Sequence, residues 1–67
     1  MTVLRGGYVQ DSVRAVLENI APHGMPRSDL VRATGCPEIS VKHALARLHA
    51  MRVVKYVRRT ACWHACV

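Results

Sequence analysis

A mostly α-helical domain of three helices followed by a small β-hairpin is what this sequence predicts, and three observations carry that expectation. Apolar residues recur at helical spacing in two stretches, 8–21 and 37–51, on either side of a short segment bounded by proline and glycine. Beyond residue 52 the residue types turn β-branched and aromatic. A chain of 67 residues has length for one core, and with one Trp, two Tyr and no Phe that core is aliphatic. Domains of this size bury little apolar surface, so help from a second copy or a ligand is a reasonable expectation.

Residues 1–7 end in the pair Gly6-Gly7, which is unfavourable inside a regular element and reads as a flexible arm. Helix one is predicted over 8–21: Val9, Val13, Val16, Leu17 and Ile20 form one stripe, with Arg14, Glu18 and Asn19 opposite. It stops at Ala21-Pro22-His23-Gly24, where proline cannot continue the ladder and glycine permits a left-handed exit. Helix two is predicted over 26–34. Pro26 suits a place at or just before the first helical position, Asp29 favours the free N–H groups, and Met25 is spaced to staple onto Leu30. Gly35 follows as a left-handed stop.

Pro37-Glu38 opens helix three over 37–51, with Val41, Ala44, Leu45 and Leu48 as its apolar stripe and Ser40, Lys42, His43, Arg47 and Ala50 opposite. The same register leaves Ile39 on the outer side. A hairpin is predicted over 53–66, from Val53-Val54-Lys55-Tyr56-Val57 through Arg58-Arg59-Thr60 to a second strand from Ala61.

Ten Lys and Arg against four Asp and Glu give a formal charge of +6 at pH 7, and eight of the ten are Arg. The planar guanidinium fork matches phosphate oxygens and guanine edges, which ranks nucleic acid ahead of a membrane surface or an acidic protein. No apolar run approaches the ~18 residues of a membrane span, and the N-terminus lacks the apolar stretch of a signal peptide. Three cysteines without paired spacing point to reduced thiols, hence to a cytoplasmic protein, and the initial Met1 suggests a whole small protein.

Three helices, with the Gly35-Cys36-Pro37 turn between the second and third, followed by a hairpin, resemble a winged helix-turn-helix domain over residues 9–66. Val41, Leu45 and Leu48 occupy the core positions of that pattern. Two residues depart from it. Pro37 stands where Ser or Thr usually caps the helix, and Arg52 stands where Gly or Asn usually leads into the wing. The resemblance implies a double-stranded DNA-binding protein of the small bacterial or phage transcriptional regulator type.

It places helix three in the major groove, with Ser40, Lys42, His43 and Arg47 at base edges or phosphates and Arg47 suited to guanine. Arg27 and Ser28, at the start of helix two, would meet a phosphate. Arg58 and Arg59, at the hairpin tip, would lie along the backbone or in the minor groove. Two copies on paired half-sites are expected, joined by the N-terminal arm or the last strand.

Other chemistry finds little material. Cys62, His64 and Cys66 alternate onto one face of a strand, but at roughly 3.3 Å per residue the outer two are about 13 Å apart. That exceeds what one zinc or one disulfide spans, so no metal site and no cofactor are expected. Cys36 reads as a small core residue, and Trp63 and Tyr56 as packing groups. There is no phosphate-binding glycine loop, no paired-carboxylate motif and no Ser-His-Asp arrangement, so an enzyme is not expected. The rival reading is a protein–protein module or inhibitor that grips an acidic partner, favoured by Ile39 and by Val3-Leu4 in the arm.

Overall fold

The chain is described by a computed structural model covering residues 6–66. In chain order it forms α1 (Gly6–Ile20), α2 (Arg27–Thr34), α3 (Glu38–Ala50), β1 (Val54–Val57) and β2 (Cys62–Ala65). This is a three-helix helix-turn-helix with a two-stranded wing, the architecture expected from the sequence. Residues 1–5 of the expected arm lie outside the described residues. Gly6 and Gly7 belong instead to the first turn of α1. Glycine weakens a helix by about 1 kcal/mol without forbidding it, and the Val9–Val13–Leu17 stripe sets the register that the pair continues.

The core is aliphatic, as composition requires. Val9, Val13 and Leu17 of α1, Leu30 of α2, Val41, Ala44, Leu45 and Leu48 of α3, and Val54 and Ala65 of the wing are all buried. Cys36, in the turn between α2 and α3, completes the cluster as a small apolar residue. No polar or charged residue is buried among the described residues. α1 packs most extensively on α3, and α2 lies across both.

Backbone geometry at the α2–α3 turn follows from two small residues. Gly35 has φ 70°, and its N–H donates to the Val31 carbonyl at 2.9 Å, a left-handed stop to α2. No atom lies within 4 Å of where a Cβ would sit, so conformation alone calls for glycine here. The Thr34 hydroxyl donates to the Leu30 carbonyl at 2.7 Å and accepts from the Cys36 N–H at 3.3 Å. Pro26 and Pro37 both sit one residue before their helices, in cap positions, rather than inside them.

α3 ends at Ala50, one residue earlier than the apolar pattern suggested. The Val53 N–H donates to Leu48 at 3.1 Å and the Arg52 N–H to His49 at 3.0 Å. These two bonds are those of a Schellman motif, in which the residue after the cap is left-handed. Arg52 fills that place with φ 62°. The side chain of Val53 then turns onto the core.

In the wing, β1 and β2 are antiparallel with Val54 opposite Ala65 and Tyr56 opposite Trp63. Alternation puts Val54, Tyr56, Trp63 and Ala65 on the inner face and Lys55, Val57, Cys62 and His64 on the outer. Residues 58–61 form the tip, where Ala61 has φ 56° and its N–H donates to Arg58 at 3.3 Å.

The sequence reading missed one pairing. Met25, just before α2, exchanges two 2.9 Å backbone hydrogen bonds with Trp63 and so extends the sheet by one bridge. The side chain of Met25 packs on the core cluster to which Leu30 belongs. β2 is consequently flanked on both sides, which leaves β1 with the free edge. His64 adds a second tie: its Nδ1 lies 3.1 Å from the Pro22 carbonyl, and its ring covers Gly24 so closely that a Cβ there would run into it.

Three substitutions test this account by thermal melting. Leu45→Ala, in the middle of the core, should destabilise by about 2–5 kcal/mol and leave little folded protein at 37 °C. Arg52→Gly and Ala61→Gly each relieve a left-handed side-chain residue and should stabilise by about 0.5–1 kcal/mol, raising Tm by several degrees. A fall in Tm for both glycine variants would contradict the left-handed geometry at those positions.

Candidate nucleic-acid interface

Charge is divided unequally between the two halves of the fold. Residues 6–37, covering α1 and α2, carry Arg14, Arg27 and Arg32 against Asp11, Glu18 and Asp29. Residues 38–66, covering α3 and the wing, carry Lys42, Arg47, Arg52, Lys55, Arg58 and Arg59 against Glu38 alone. All six of those cations are exposed. The field of the domain is therefore concentrated on α3 and the hairpin. The asymmetry is a property of the sequence itself, since the acids other than Glu38 all precede residue 30.

α3 presents its polar side because its stripe of Val41, Ala44, Leu45 and Leu48 is taken up by the core. Lys42, His43 and Arg47 stand exposed on that side, as the spacing predicted. Ser40 is only half-exposed, because its position on the helix falls close to the buried stripe. Of Ser40, Lys42, His43 and Arg47, the last three are thus fully on the exposed side. Ile39, Ala46 and Ala50 run along the middle of the outer side at spacings of seven and four, and Ile39 is 58% exposed. Two alanines there keep the helix surface low, so another surface can approach its backbone closely.

Arg27 and Ser28 open α2, as expected, and both are exposed. The cap residue Pro26 makes no side-chain hydrogen bond to the helix start, so the first N–H groups of α2 are left without a cap acceptor. An anion is the natural complement of that end. The Arg27 guanidinium is not idle, however: its Nη2 lies 3.1 Å from Glu38 Oε2, tying the first turn of α2 to the first turn of α3. Neither the pair nor Glu38 was anticipated, because the two residues are eleven apart and only the bend of the helix-turn-helix brings them together.

An open groove of about 410 Å³ runs between the start of α2 and the wing, lined by Pro26, Arg27, Ser28, Glu38, Tyr56, Ala61 and Trp63. The wing wall is an aromatic cluster. Tyr56 and Trp63 tilt against each other with centroids 4.9 Å apart, and His49 of α3 meets the Trp63 ring edge-on at 5.9 Å. Trp63 also packs on the core. It joins α3, the strand pair and Met25 into one rigid unit, and so fixes the angle between α3 and the wing. Arg58 and Arg59 stand exposed at the wing tip beside Ala61.

The spacing of Cys62, His64 and Cys66 has a different meaning in three dimensions. Cys66 lies beyond β2, His64 is held by the Pro22 carbonyl, and Cys62 Sγ approaches the Thr60 carbonyl at 3.3 Å. Among the described residues no group of three His, Cys, Asp or Glu side chains is placed to hold a metal ion. Likewise, no described helix is long and apolar enough to cross a membrane.

The groove brings together the start of α2, Glu38 at the start of α3 and Tyr56, Ala61 and Trp63 of the wing, while Lys42, His43, Arg47, Arg58 and Arg59 are exposed outside its lining. Compared with protein-family models, with curated proteins and with solved structures, the chain matches none of them.

Proposed function

We propose that the chain binds double-stranded DNA, with α3 in the major groove, the start of α2 on a phosphate and the wing along the backbone or in the minor groove. The observation that carries this reading is the concentration of six exposed cations on α3 and the wing, on a fold whose other half is balanced. An α-helix fits the major groove of B-DNA, and side chains such as Arg47, Lys42 and His43 offer donors to guanine edges and phosphates. Arg58 and Arg59 at the tip suit a narrow minor groove, where the potential is most negative. In this reading the protein is a small transcriptional regulator of the bacterial or phage type, working in the cytoplasm as two copies on paired half-sites.

A second reading has its own observation. The apolar line of Ile39, Ala46 and Ala50 along the centre of the cationic side also suits a helix or strand of an acidic protein. The two readings separate on one measurement, affinity for mixed-sequence duplex at low salt. Absence of binding there would favour the protein partner.

For DNA, selection from a randomised duplex pool at about 50 and 200 mM salt should enrich a motif that survives the higher salt. The double variant Lys42→Ala, Arg47→Ala should weaken binding by at least tenfold and flatten the salt dependence by one to two phosphate contacts, roughly 0.9 in slope for each. Unchanged affinity and unchanged sequence preference in that variant would overturn the assignment of α3 as the reading helix.

A further inference from the structure

Glu38 is the one acid among the described residues of α3 and the wing, and it stands in the first turn of α3 with its side chain 65% exposed. A carboxylate at that place works against phosphate binding, since every charge on the DNA backbone is negative, and the other charged side chains of α3 and the wing among the described residues are all cations. It nevertheless sits where a helix laid in the major groove meets base edges, beside exposed Ile39. We propose that Glu38 is a specificity-determining residue that accepts a hydrogen bond from the N4 amino group of cytosine, with Arg27 as its positioning residue. The proposal rests on the DNA-binding reading given above and deepens it.

The chemistry selects cytosine among the four bases. An ionised carboxylate only accepts hydrogen bonds. In the major groove guanine offers two acceptors, thymine an acceptor and a methyl group, and adenine an amino group next to the N7 acceptor. Cytosine alone presents an amino donor with no acceptor of its own beside it. The carboxylate is matched by cytosine and repelled to differing degrees by the other three.

Arg27 makes that choice usable. Its guanidinium holds Glu38 Oε2 at 3.1 Å through one nitrogen, and the planar fork has further N–H donors in the same plane. Arg27 also stands at the uncapped start of α2, where a phosphate would dock. One guanidinium can therefore bridge a backbone phosphate and the Glu38 carboxylate at once. It offsets the repulsion between those two anions, and it fixes the carboxylate relative to the phosphate, so that the position of the base edge is set by the backbone contact. Tyr56 and Trp63 line the same open groove as the pair.

A purely structural role would be different in its consequences. An acid in the first turn of a helix, paired with an arginine on the preceding helix, stabilises the fold a little and has no bearing on which base pair is preferred. The readout must therefore be base preference.

The experiment compares motifs selected from a randomised duplex pool by the full chain, by Glu38→Gln and by Arg27→Gln, with melting curves confirming that each is folded. The full chain should show one position with a preference for C·G of about five- to tenfold. Glu38→Gln keeps the shape, loses the charge and gains a donor, so that position should move to adenine, whose N6 and N7 groups match an amide. The same change should raise affinity for unselected duplex and steepen its salt dependence. Arg27→Gln should blur the position and weaken binding while leaving the rest of the motif in place. Should Glu38→Gln prove unfolded, the blurring by Arg27→Gln decides. An unchanged position in the motif of either folded variant would overturn the role of Glu38 while leaving DNA reading by α3 intact. Failure of the full chain to enrich any motif would bring down both together.

Discussion

Burial of one stripe of α3 governs the rest of this structure. Val41, Ala44, Leu45 and Leu48 face α1 and the base of the wing, and all four are essentially inaccessible to water. At roughly 25 cal/mol for each Å² of apolar surface removed from water, those side chains are among the larger favourable contributions available to so short a chain. Their burial also dictates orientation. Once that stripe is inside, Lys42, His43 and Arg47 have no place but the outside, and the helix becomes a cationic ridge without any further design. The absence of buried polar groups among the described residues means that the core makes no directional demand of its own. Shape and volume alone set the helix angles.

A second set of constraints fixes where the chain turns. Among the described residues Gly35, Arg52 and Ala61 adopt left-handed backbone angles, and of these the first alone is glycine. At Arg52 the two hydrogen bonds of the Schellman motif and the burial of Val53 offset the strain of a side chain at positive φ. At Ala61 the closing pair of Val57 and Cys62 does the same. One strained residue stands at the entry to the wing and the other at its tip. Arg52 at the exit of α3, where glycine would be easier, places a positive charge at the junction between the helix and the hairpin.

Electrostatics and stability pull in opposite directions here. Six cations on α3 and the wing repel one another across a surface wet by water, which weakens the fold slightly and is relieved by salt or by a polyanion. The ion pair between Arg27 and Glu38 is exposed and contributes little to stability. Its value lies in geometry: it joins the first turns of two helices that the Gly35 bend brings into register. Trp63 makes the corresponding link on the other side, with the Met25 backbone on one edge, Tyr56 opposite and His49 against its ring. The ion pair thus links α2 to α3, and Trp63 links α3 to the wing, the angle on which the proposed contact with a groove and its flanking backbone would depend.

Much of this was written in local pattern. The period of Val9, Val13 and Leu17 and that of Val41, Leu45 and Leu48 define α1 and α3, because a helix brings residues three and four apart onto one side whatever surrounds it. Gly35 announces the turn, the β-branched run after residue 52 announces the wing, and the exposed positions of Lys42, His43, Arg47, Arg58 and Arg59 follow from the same arithmetic. Helix ends were less legible. Gly6 and Gly7 are helical and α3 stops at Ala50, because propensities at the last turn are small beside the hydrogen bonds a neighbouring segment can supply. The pairing of Met25 with Trp63, the seat of His64 on Pro22 and Gly24, and the bridge from Arg27 to Glu38 were decided only in three dimensions. Each joins residues on different elements, and no periodicity within one element carries information about which side chain of another will be brought against it.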